Sequence, residues 1–91
     1  MSDTKQLIGS LSNDLFRVAS LQQRGSTKAA QKFLEEAKRW AQPLSVLETK
    51  KYIKAIAQDV LEFKTSELTL EQAEKYLMFG VLLQNYALHR Q

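Results

Sequence analysis

The stretch RGSTKAAQKFLEEAKRW, Arg24 to Trp40, decides the fold. A Gly-Ser step leading into a basic, alanine-rich helix resembles the opening of a bacterial helix-turn-helix regulator. That motif requires a turn of about 3–4 residues and then a second, recognition helix. Here Ala29, Ala30, Phe33, Leu34, Ala37, Trp40 and Ala41 form one unbroken stripe at the 3.6-residue period, and the next break is Pro43. Lys28, Gln31, Lys32, Glu35 and Arg39 fall opposite. Glu35 with Lys38 or Arg39, and Lys32 with Glu36, have the spacing of ion pairs on a solvated face. The stretch reads as one amphipathic helix over Thr27 to Gln42 that packs against neighbours.

Punctuation on both sides supplies the other elements. Upstream, Leu7, Leu11, Leu15, Val18 and Gln22, with Ile8 and Ala19 beside them, mark one face of a first helix. Gly9 weakens its start, so Ser10 or Ser12 is expected to cap it, with residues 1–9 fraying. Gly25 is expected to end this helix in the left-handed conformation, and Ser26 to offer its side-chain oxygen to the next one. Downstream, Ser45-Val46-Leu47-Glu48 has capping-box spacing and predicts a third helix with the core stripe Val46, Ile53, Ile56, Ala57, Val60 and Phe63. Thr69-Leu70-Glu71-Gln72 repeats that logic, with Leu68 placed to staple onto Ala73, and a fourth helix runs to about His89.

Four helices with short connections predict an all-α fold, a compact and mainly antiparallel four-helix bundle formed by residues 1–91 as a single domain. A three-helix bundle with a loosely attached first helix is the alternative. A chain of 91 residues has room for one core, and 44% apolar with 25% charged residues is ordinary globular usage. There is no cysteine, which removes disulfides, thiolate metal sites and cysteine nucleophiles. MSDTKQLIGS lacks the basic start and apolar core of a secretory signal, and the longest apolar run, Tyr76 to Leu83, is far short of the ~18 residues of a membrane span. A cytoplasmic protein without membrane attachment is expected.

The fourth helix carries more apolar surface than one face needs. Leu70, Ala73, Tyr76, Leu77, Gly80, Val81, Leu83, Ala87 and Leu88 are assigned to the core. Met78, Phe79, Leu82 and Tyr86 recur at three- and four-residue spacing on what should be the solvent side. These four either complete the core or meet a second copy of the chain or another protein.

Nucleic acid or another acidic ligand is the competing class of partner. Net charge is only +3, but Lys50, Lys51 and Lys54 form a cluster at a helix start, where cations oppose the helix dipole. Arg24 and Lys28 are likewise unpaired within their own helices, with no carboxylate three or four residues away. If the fold brings the two clusters together they form an anion-binding surface; otherwise they serve solubility.

Catalytic chemistry is scarce. His89 is the single histidine, at the chain end, where with Arg90 it complements the dipole of the last helix. No Glu-x-x-His pair, Gly-rich phosphate loop or strained serine nucleophile occurs. Gln84 is assigned to the core side as a structural hydrogen-bonding group. The expectation is a non-enzymatic interaction module with no metal, cofactor or catalytic residue.

Overall fold

The computed structural model describes residues 4–89. The elements are α1 (Thr4–Gln23), α2 (Thr27–Leu44), α3 (Lys51–Glu62), a single 3-10 turn (Thr65–Glu67) and α4 (Leu70–His89). All elements among the described residues are helical, and they form an all-α four-helix bundle. Successive helices are antiparallel. Asp14 meets Trp40 and Arg17 meets Phe33 across α1 and α2. Tyr52 meets Tyr86, and Asp59 meets Lys75, across α3 and α4.

α1 is the centre of the bundle, packed between α2 and α4, and α3 lies chiefly on α2. Ile8, Leu11, Leu15 and Val18 are fully buried together with Leu34, Leu44, Ile53, Val60, Tyr76 and Leu83. The alternative of a loosely attached first helix is therefore corrected: α1 joins the other elements. It also starts at Thr4 rather than at Ser10 or Ser12, because Ile8 gains a full burial site that extends the helix past Gly9. Residues 1–3 of the anticipated fraying segment lie outside the described residues. So do Arg90 and the side chain of His89, and with them their expected role at the helix dipole.

The first turn follows the expectation at Gly25 and departs from it at Ser26. Gly25 has φ +82°, its amide donates to the Gln22 carbonyl at 3.0 Å, and the Ser26 amide donates to the Leu21 carbonyl at 2.9 Å. This pair of bonds is a Schellman closure, which needs the left-handed residue that glycine adopts without a Cβ penalty. Ser26 makes no side-chain cap; its carbonyl accepts from the Ala30 amide instead.

The second turn is where local motifs misled. α2 runs through Pro43 to Leu44, since a proline in the last turn forfeits only the bond to Arg39, an exposed residue. Ser45 then closes α2, donating from its amide to the Ala41 carbonyl and from its hydroxyl to Gln42, rather than opening α3. α3 starts six residues later at Lys51, and Val46 is largely exposed, not core. At α4 the reading holds. The Gln72 amide donates to Thr69 Oγ1 at 3.2 Å, and Leu68 and Ala73 are both buried.

Candidate interaction surface

The rotation of α4 about its own axis decides what it shows to solvent, and two contacts fix it. On the α1 side, the Ser12 hydroxyl donates to the Gly80 carbonyl at 2.8 Å in a buried bond. A Cβ at position 80 would stand 3.0 Å from Phe16 Cε1, so this crossing needs glycine or a displaced Phe16. On the α3 side, Tyr76 is enclosed, edge-on to Phe63 at 5.9 Å and tilted against Phe79 at 6.0 Å. Lys75 reaches Asp59 at 2.9 Å and lies over both rings. Burial raises the Tyr76 hydroxyl pKa, with the Asp59 charge adding to it. That hydroxyl approaches Gln72 without completing a bond of ordinary geometry.

With Ala73, Tyr76, Gly80 and Leu83 turned inward, α4 exposes Leu70, Leu77, Met78, Val81, Leu82 and Leu88, each between 39% and 66%. Met78 and Leu82 thus lie outside, as the spacing suggested. Phe79 and Tyr86 do not: both are half-buried and packed on the core, Tyr86 edge-on to Tyr52 at 6.5 Å. Leu70, Leu77, Val81 and Leu88, assigned to the core from sequence, are exposed, and Gln84 faces out with them. A helix apolar over most of its circumference offers several rotational settings of similar hydrophobicity, so periodicity alone cannot select one. The tight Gly80–Phe16 crossing does.

The two basic clusters do not meet. Arg24 and Lys28 are exposed at the α1–α2 turn, with Arg24 bonded to Ser20 Oγ at 3.3 Å. Lys50 and Lys51 are exposed and Lys54 half-buried at the start of α3. The 18-residue α2 separates the two ends by about 25 Å, at ~1.5 Å per residue. Lys50 shares a shallow depression with Glu48, Thr49 and Tyr86, so a carboxylate stands beside it.

Three polar residues, Asp14, to which the sequence reading gives no role, and Lys38 and Glu35, which it pairs along one helix, make contacts between elements instead. Asp14 is buried, accepting from Trp40 Nε1 at 2.9 Å and from Arg17 at 3.5 Å. Burial raises its carboxyl pKa, and the Trp40 bond partly opposes that shift. Its position was a signal: three residues after Leu11 and four before Val18, it falls on the apolar stripe. Lys38, expected to pair along α2, instead donates to the carbonyls of Val60, Leu61 and Phe63 at 2.8, 3.2 and 2.5 Å, satisfying the end of α3. Glu35 accepts from the Thr65 hydroxyl of the following turn.

Among the described residues no three His, Asp or Glu side chains converge as metal ligands would, and no helix is long and apolar enough to cross a membrane. Compared with family models, curated proteins and solved structures, the chain has no significant match in any of the three. Function is therefore read from its own surface.

Proposed function

We propose that this protein is a small, cytoplasmic, non-enzymatic interaction module that associates with itself through the outer face of α4. The supporting observation is the set of six large apolar side chains, Leu70, Leu77, Met78, Val81, Leu82 and Leu88, left exposed on one helix. The largest contiguous apolar patch on a monomer is typically about 300–600 Å² and is often a functional surface. None of the six belongs to the buried cluster, which closes on another side of the same helix. Two-fold self-association is the commonest means of covering such a face.

Molar mass measured over a dilution series tests this. The wild-type chain is expected to pass from dimer to monomer on dilution, whereas Val81→Glu with Met78→Glu remains monomeric and equally helical. A wild-type chain that is monomeric up to high concentration overturns the proposal. Phe79 and Tyr86 are unsuitable test sites because they support the core. The competing nucleic-acid reading is weakened by the separation of its two clusters. It would be restored by salt-sensitive binding of a random oligonucleotide that Lys50→Gln with Lys51→Gln abolishes.

A further inference from the structure

The sequence of this face says how two copies meet. Taken along α4, the residues Leu70, Glu74, Leu77, Val81, Gln84 and Leu88 lie on one stripe, and all six are exposed. Their steps are four, three, four, three and four residues, the same in either direction. Their polarity is also the same in either direction: apolar, polar, apolar, apolar, polar, apolar. A two-fold axis crossing between Leu77 and Val81 turns this stripe onto itself.

Resting on the self-association reading above, we propose that the occupant of the face is a second copy of this chain with its α4 antiparallel to the first. In that register Leu70 meets the partner's Leu88, Leu77 meets the partner's Val81, and Glu74 meets the partner's Gln84. Every apolar layer falls on an apolar layer. Glu74, the one charged member of the stripe, is set against an amide whose N–H groups can donate to it. Sliding either helix by one turn would instead oppose leucine to glutamate or glutamine.

Glu74 also selects the direction. Parallel helices in register would pair the apolar layers equally well, but they would place Glu74 against the partner's Glu74 within an apolar contact, where like charges repel most strongly. The antiparallel arrangement separates the two carboxylates by ten residues, about 15 Å along the axis at ~1.5 Å per residue. That exceeds the screening length of ~8 Å at physiological salt. An unrelated partner would impose no end-for-end symmetry on the stripe, whereas an isologous contact requires a self-complementary one. Met78 and Leu82 flank the stripe and widen the contact. An apolar patch on the order of 500 Å² per copy, doubled by the two-fold, reaches the ~1,000 Å² expected of a specific interface.

The chain has no cysteine, so introduced thiols report orientation without background. Glu74→Cys and Gln84→Cys replace polar residues and leave the apolar layers intact. After mild oxidation, an equimolar mixture of the two variants is expected to give mainly the mixed covalent dimer. Each variant alone gives little, because equivalent positions are offset well beyond the ~7 Å limit between the Cα atoms of a disulfide. Self-linking of Glu74→Cys alone, as readily as in the mixture, overturns the antiparallel arrangement in favour of the parallel one. A wild-type dimer by molar mass whose thiols link in neither case places the contact on another face and also overturns it. A wild-type monomer at all concentrations defeats the underlying self-association reading instead, so the two failures are distinguished.

Discussion

α1 and α4 are both twenty-residue helices that pack against each other, and they sort polar and apolar side chains in opposite ways. α1 takes Ser12 and Asp14 inside, giving each a hydrogen-bonding partner on a neighbouring helix. α4 leaves six large apolar side chains outside. A buried polar group is tolerated when its bonds are completed, and it then restricts the packing to one geometry. An apolar side chain left partly exposed contributes less to holding the monomer together than a fully buried one. Position in the bundle therefore separates residues that make the fold from residues the fold leaves free for other work.

The sharpest test of that division is to truncate one leucine on each side of it. Leu15→Ala, in the centre of α1, is expected to cost about 2–5 kcal/mol of unfolding free energy. Leu77→Ala, on the exposed stripe but itself only 39% exposed, should cost clearly less, about 1 kcal/mol, when unfolding is followed in denaturant at concentrations low enough to keep the chain monomeric. A large loss at Leu77 would show that the stripe belongs to the core.

Next in size is the tie between α1 and α2. Trp40→Phe keeps the ring bulk but strips Asp14 of its indole donor, and is expected to cost about 1–3 kcal/mol near neutral pH. Its measure is the shift of the denaturation midpoint, and a variant as stable as wild type would show that the bond contributes little.

Asp14 itself predicts a smaller, pH-dependent effect. Its carboxyl pKa is raised above the ordinary 3.8 by burial, so the folded state holds the proton more tightly than the unfolded chain does. The stability this contributes is fully present below about pH 3.8 and is lost as pH rises through the folded-state pKa. Asp14→Asn cannot ionise. Relative to wild type it should therefore gain stability between pH 3 and pH 7, and paired denaturation curves across that range check the sign. A constant difference between the two proteins would contradict it.

Smallest is the cap of α4, where Thr69→Ala removes the acceptor for the Gln72 amide and is expected to cost about 1 kcal/mol. Thr69→Ser should restore most of it. An equal loss with serine would assign the effect to the threonine methyl rather than to the hydroxyl.

Much of the architecture was legible before any coordinates. The long stripe from Ala29 to Ala41, the left-handed Gly25 and the Leu68-Thr69 entry to α4 each had a local physical cause, and each is found as expected. Ser45 and Ser26 failed for a shared reason: a hydroxyl near a helix end can serve the helix before it, the helix after it, or neither, and neighbouring packing chooses. The outer face of α4 is legible as an excess of apolar residues, with Met78 and Leu82 placed correctly and Phe79 and Tyr86 not. Leu77 and Phe79 are equally apolar and two residues apart, and what separates them is where α1 and α3 touch the helix. Lys38 was misjudged likewise, because the carbonyls it binds lie more than twenty residues along the chain.

Gly80 carries a consequence beyond its own contact. It works as an indexing notch: with no side chain at this point, α4 settles at one azimuth against Phe16, with its carbonyl aligned to Ser12. A methyl group there would press on the Phe16 ring, which must give by a few tenths of an ångström for the crossing to keep its present setting. The identity of the outward-facing surface is thus set from within, by the absence of a methyl group on the hidden side.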